Sequence, residues 1–137
     1  MSEAEPDLSG FLEGLPGRAA ARPRRLVLPE GADPRIHAVV RTAVRQGIFR
    51  PVLLGHPTEV REALRHSGTD PDAVEVVDPT DAELVERTLA WLLERRARRS
   101  DATSRLRKWA ADPLMQAGML VGSGAADGAV AGGARTT

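Results

Sequence analysis

Leu26-Val27-Leu28-Pro29-Glu30-Gly31-Ala32-Asp33-Pro34 packs a strand, a turn and a helix start into nine residues. Three consecutive apolar residues read as a short strand covered on both faces, and Pro29-Glu30-Gly31 reads as the turn that ends it. Asp33-Pro34 then opens a helix. Aspartate accepts from the free amides of a first turn, and proline suits the first helical position because its missing N–H would have gone unpaired. Ile36, Val39, Val40, Ala43 and Val44 follow at i, i+3, i+4, i+7 and i+8, one apolar helical stripe that Gly47 closes.

The same unit repeats downstream. Val52-Leu53-Leu54 gives a second strand, and a helix over 57–66 places Val60, Ala63 and Leu64 on its inner face. Val74-Glu75-Val76-Val77 is a third strand, stopped by Asp78-Pro79. Thr80 or Asp81 then caps a long helix with the stripe Leu84, Val85, Leu89, Leu92 and Leu93, expected to run to about Arg99. Further helices are expected over about 102–111 and 113–120, and a small-residue strand over 128–132. This alternation predicts an α/β fold: a three-layer sandwich with a mostly parallel sheet. Upstream, Leu8, Phe11, Leu12 and Leu15 have helical spacing, with Ser9 as a possible cap. Gly14, Pro16 and Gly17 are expected to break that helix, leaving Arg18 to Arg25 as a basic, Ala-rich connector. The division is a lead-in over 1–23 and a domain over 24–137.

Length and composition bound the function. A chain of 137 residues, 42% hydrophobic and 28% charged, fits one globular domain and not a disordered one. No apolar run approaches the roughly 18 residues of a membrane span, and the acidic N-terminus does not read as a secretory signal. The expected location is the cytoplasm. The absence of cysteine removes disulfides, thiolate metal sites and cysteine nucleophiles. The 19 basic and 19 acidic residues cancel, so overall charge offers no argument for a nucleic acid or a membrane partner. Of the basic residues only Lys108 is not arginine, which we read as a genome composition bias.

Two features suit anion chemistry. The first is the basic run Arg95, Arg96, Arg98, Arg99, Arg105, Arg107 and Lys108, in which Asp101 is the single acid. Guanidinium forks suit phosphate, and the same run equally suits a solvated helix end. The second is the glycine-rich tail from Gly122 to Gly133, whose amides can cradle phosphate or simply form turns. It matches neither the P-loop nor the dinucleotide fingerprint. His37, His56 and His66 lack metal-ligand spacing, so no metal is expected. Glu30 and Asp33 fall at the strand edge where α/β folds bind ligands, although Asp33 is more simply a helix cap.

Five segments in order resemble the phosphate acetyltransferases. They are Leu28-Pro29-Glu30-Gly31-Ala32-Asp33-Pro34-Arg35, Pro51-Val52-Leu53-Leu54-Gly55, Val77-Asp78-Pro79, Leu93-Glu94-Arg95-Arg96, and Asp112-Pro113 with the run from Ala125 to Thr137. The resemblance covers about residues 24–137. It implies a truncated first domain of a two-domain acyltransferase with an isocitrate/isopropylmalate dehydrogenase-like fold and the active site in the cleft between domains. It implies acetyl or butyryl transfer between acyl phosphate and coenzyme A: the CoA thiolate attacks the acyl carbonyl and phosphate leaves. CoA is then a substrate, and no cofactor is involved. The implied substrate-binding residues are Arg96, Thr136 and Thr137. Arg135 stands where the family has histidine, Ala131 where it has serine, and Arg95 where it has leucine. The family's next arginine-bearing helix and its second domain, with the acidic base, lie beyond residue 137. No catalytic residue is therefore assigned here, and an incomplete or inactive chain is expected. The implied partners are the small-molecule substrates, with a separate C-terminal half or a homo-oligomer as possible completions. A non-catalytic phospho-metabolite binding module, or half of a split enzyme, is the alternative. An exposed last strand is expected to favour self-association.

Overall fold

A computed structural model of the chain describes residues 8–96 and 103–132. Four strands, β1 (Arg24–Leu28), β2 (Phe49–Leu54), β3 (Glu75–Val77) and β4 (Gly128–Ala129), form one sheet in the order β3-β2-β1-β4. Every pairing is parallel, with Leu28 opposite Leu53, Leu54 opposite Val77, and Leu26 opposite Gly128. Six α-helices occur among the described residues: α1 (Ser9–Ala21), α2 (Pro34–Gln46), α3 (Pro57–His66), α4 (Ala82–Arg95), α5 (Thr103–Ala110) and α6 (Pro113–Gly122).

Because strand side chains alternate, each strand serves two cores. Leu28 and Leu53 face Val40 of α2 and Val60 and Leu64 of α3. Val27, Val52 and Leu54 face the other way, onto Ala117 and Leu120 of α6. That makes three layers, with helices on both faces of the sheet. A third cluster, Leu89, Leu92, Leu106 and Ala110, holds α5 against α4 and includes both tryptophans, Trp91 and Trp109, at its margin.

The helix ends follow the sequence chemistry. Asp33, Asp81 and Asp112 each accept from a first-turn amide, at Arg35, Leu84 and Leu114. Gly47 ends α2 in the left-handed conformation (φ +64°) that glycine adopts without a Cβ penalty. Three expectations are corrected. The first helix is not broken at Gly14–Gly17. It continues to Ala21 with Pro16 inside it, because the Ala-rich run after Arg18 favours helix; Leu8, not Ser9, stands at the cap position. On α2, Val39 is half exposed and His37 is buried in its place, because the turn after β1 offers His37 a hydrogen-bond partner. On α4, Leu93 is exposed and Thr88 is buried, its hydroxyl donating to the Leu84 carbonyl at 2.7 Å. The described part of α4 ends at Arg95, so its expected extension to Arg99 lies outside the described residues. β4 is an edge strand, as expected.

Candidate functional site

All four strands point the same way, so their carboxyl ends share one edge. The chain builds outward from β1 to β2 to β3 and then returns to the far side of β1 with β4. The connections therefore diverge between β1 and β4, the place where open parallel sheets leave a crevice for ligands. The turn 29–33 and the segment 130–132 border that crevice.

The turn after β1 is held from three sides. Gly31 N–H donates to the Leu54 carbonyl at 3.0 Å, and a Cβ at this position would run into that same carbonyl, so only glycine fits. His37, 5% exposed, places Nε2 2.6 Å from the Gly31 carbonyl, which can only accept. Asp33 caps α2 and receives the Arg35 guanidinium at 2.7 Å. The hydrogen bonds from the Arg35 side chain and then its amide hold the Asp33 carboxyl below the usual carboxylate range, and Asp33 in turn raises the Arg35 pKa. The turn after β3 is built alike: the Thr80 hydroxyl (2.7 Å) and amide (2.8 Å) donate to Asp78 and lower its pKa, with His56 adding a smaller attraction.

β4 is fastened at the opposite end of the strands. The Asp127 amide donates to the Arg25 carbonyl at 2.9 Å, and the Arg25 amide donates to the Asp127 carboxylate at 2.8 Å. The Arg25 guanidinium reaches both Glu75, at 2.6 Å, and the Ala125 carbonyl, so a single side chain spans from β3 to the approach to β4. Val130 N–H closes the described pairing by donating to the Val27 carbonyl at 3.0 Å.

Of the expected substrate residues, Arg96 is described and Thr136 and Thr137 lie outside the described residues, as do Arg98, Arg99 and Arg135. Arg96 caps the end of α4, and its guanidinium carbon lies 4.5 Å from the centre of the Trp109 ring. Arg95 lies 4.1 Å over Trp91. Both distances are in cation–π range. Trp109 belongs to the corner joining α5 to α6, where Gln116, fully buried, donates to the carbonyls of Ala110 (3.0 Å) and Pro79 (2.8 Å). Arg96 thus stacks on Trp109, whose chain neighbour Ala110 is tied through Gln116 to the turn that follows β3. Elsewhere in the basic run, Arg107 pairs with Glu86 at 2.8 Å.

Sequence reasoning missed His37, Trp109 and Gln116. The phase of the α2 stripe, in which His37 precedes Val40 by three residues, held the signal for the first. Nothing local pairs Arg96 with Trp109. Among the described residues no group of three or more His, Asp or Glu is placed to hold a metal, and no helix is long and apolar enough to cross a membrane.

Residues 10–137 match the family described as phosphate acetyl/butaryl transferase. The chain is 31% identical over 127 residues to the phosphate acetyltransferase of Acetivibrio thermocellus, covering 93% of this chain and 38% of that protein. It is 35% identical over 127 residues to that of Paracoccus denitrificans, covering 92% and 36%. Among solved structures, a phosphotransacetylase from Streptococcus pyogenes superposes with a TM-score of 0.82 at 25% identity, covering 96% of this chain and 40% of that one. The phosphotransacetylase EutD from Staphylococcus aureus gives 0.78 at 25% identity, with 95% and 39% covered. The chain therefore spans about two fifths of the length of these relatives.

Proposed function

The chain belongs to the phosphate acetyl/butaryl transferase family, and from that membership we propose that these 137 residues form one wall of a site for acyl transfer between acyl phosphate and coenzyme A. The observation that carries this reading is the divergence point between β1 and β4, bordered by a turn whose backbone and Asp33–Arg35 pair are locked in place. The anionic substrates bind at this edge. Arg96, Thr136 and Thr137 are the residues proposed to bind them, and CoA enters as a substrate and not as a resident cofactor. Within this reading the second wall and the acidic base come from a further domain or a partner chain, the 137 residues alone bind without turning over, and the setting is the cytoplasm.

A second reading has its own support. Two adjacent arginines are already set against aromatic rings within this chain, so an anion site needs no second domain. On that reading the chain binds a phosphorylated metabolite without catalysis.

One pair of measurements separates these outcomes. Calorimetry with CoA and with acetyl phosphate, compared between the chain and Arg96→Ala, should show binding weakened about tenfold, the scale of one lost charge-assisted hydrogen bond. An assay for acetyl-CoA formation should show no turnover above the protein-free control. Binding of acetyl phosphate without CoA favours the binding module. Failure to bind either ligand overturns both readings, and turnover by the chain alone overturns the one-wall reading.

A further inference from the structure

Arginines in this chain are held in two ways. Arg25, Arg35, Arg61 and Arg107 each reach a carboxylate, at 2.6, 2.7, 3.6 and 2.8 Å. Arg95 and Arg96 each lie over a tryptophan ring, 4.1 and 4.5 Å from its centre. The two modes differ in what they allow a ligand. A carboxylate holds a guanidinium by offsetting its charge and accepting from its in-plane N–H groups. A ring holds it by the face, keeps the charge, and is compatible with in-plane donation to an oxyanion.

The two ring contacts are not equivalent. Arg95 and Trp91 are four residues apart on α4, the spacing at which side chains on one helix surface meet, and Arg95 is exposed. Arg96 and Trp109 belong to different elements. Arg96 follows the last residue of α4, its N–H donating to the Leu92 carbonyl at 3.0 Å, and Trp109 stands in the last turn of α5.

The Trp109 ring has a fixed root. The Asp112 N–H donates to the Trp109 carbonyl at 3.0 Å, and the Asp112 side chain caps α6. Gln116, fully buried, gives its side-chain amide to the carbonyls of Ala110 and Pro79. Leu106 and Ala110 pack α5 onto Leu89 and Leu92 of α4, so the ring cannot swing away without opening the seam between these helices. An arginine loses rotamer freedom when it binds an anion, and one already held against a rigid ring loses less.

We propose that Trp109 is a positioning residue for Arg96: its ring, fixed by the corner between α5 and α6, orders in advance the guanidinium that receives the anionic substrate. This rests on the reading above that assigns Arg96 to substrate binding. Trp91→Phe leaves Trp109 as the sole tryptophan and serves as the parent protein for the test. Titrated with CoA, the parent should shift its Trp109 emission with the midpoint that calorimetry gives, and the shift should vanish when Arg96→Ala is added. By calorimetry, Trp109→Leu should bind CoA about fivefold more weakly than the parent, and Trp109→Phe should fall between the two. Arg96→Ala/Trp109→Leu should bind no more weakly than Arg96→Ala alone, because the ring acts only through the arginine. Additive losses in that double variant overturn the positioning role and leave Arg96 in the site, as does unchanged CoA binding in Trp109→Leu where Arg96→Ala weakens it. If Trp109→Leu does not fold, the emission titration decides, and a parent protein that binds CoA without an emission shift overturns the proposal. Unchanged binding in Arg96→Ala, or none by the parent, overturns the assignment of Arg96 itself and the positioning role with it.

Discussion

The turn after β1 and the corner where the end of α4 meets Trp109 of α5 both fix an arginine, and they do so by different physics. In the turn, backbone groups dominate: Gly31 lies against the Leu54 carbonyl, His37 holds the Gly31 carbonyl, and Asp33 ties Arg35 to the first turn of α2. At the corner, side chains dominate: Arg95 and Arg96 lie on Trp91 and Trp109, and a Cβ at Gly122 would come within 2.8 Å of the Trp91 ring. A site framed by carbonyls and amides has no soft neighbour to absorb a substitution. A site framed by stacked side chains can repack.

The largest test of that difference is a matched pair of glycine substitutions. Gly31→Ala pushes a methyl against a backbone carbonyl of β2 and should cost about 3 kcal/mol. Gly122→Ala meets a ring that can tilt and gains helix propensity, so it should cost less than about 1 kcal/mol. Denaturant titration of both variants measures the gap, and equal losses would erase the distinction. Next in size is His37→Leu. It keeps the buried volume and strands the Gly31 carbonyl, at a cost of about 1–2 kcal/mol in the same titration. A neutral result would mean that water replaces the imidazole. Smaller again is Trp109→Phe, which keeps a ring at the corner and weakens the cation–π contact. A loss of about 0.5 kcal/mol is expected, with phosphate-ligand binding weakened alongside it if Arg96 serves the site.

The same contrast explains what the sequence made legible. Strand, turn and cap were readable because their causes are local: Leu26-Val27-Leu28 is continuously apolar, Gly31 and Gly47 mark the turn and the helix end, and Asp33, Asp81 and Asp112 sit one residue before their helices. The ordered segments from Leu28 to Thr137 also pointed to the family. The corner was not readable. Arg96 meets Trp109 across 13 positions, and Gln116 reaches Pro79 across 37, distances over which spacing carries no information. The first helix was misjudged because Gly14, Pro16 and Gly17 are breakers by propensity, and the structure runs through them. His37 lay between: its phase on α2 was visible, while its partner, the Gly31 carbonyl, became apparent only in three dimensions.

The smallest expected effect separates the two regions by pH. Asp33 has a lower pKa in the folded chain than the ordinary value of 3.8, chiefly because the Arg35 side chain donates to it. A carboxylate depressed by folding stabilises the fold fully above its unfolded pKa and loses that contribution as pH falls through the lower folded value. Stability supplied by the turn should therefore decline on acidification below about pH 4. Asp78, lowered chiefly by the Thr80 hydroxyl, behaves the same way on the same sheet edge. The arginine–tryptophan stacks contain no carboxylate. Asp33→Asn keeps a capping side chain and removes the titration, so its unfolding midpoint should fall less steeply with acid than that of the unsubstituted chain. Asp33→Asn/Asp78→Asn should flatten the profile further, while Trp109→Phe should lower it uniformly without changing its slope. An unchanged acid slope in the Asp33→Asn protein would show that the Asp33–Arg35 pair is equally formed in the unfolded chain, two residues apart as it is, and that the rigidity of the turn comes from Gly31 and His37 alone.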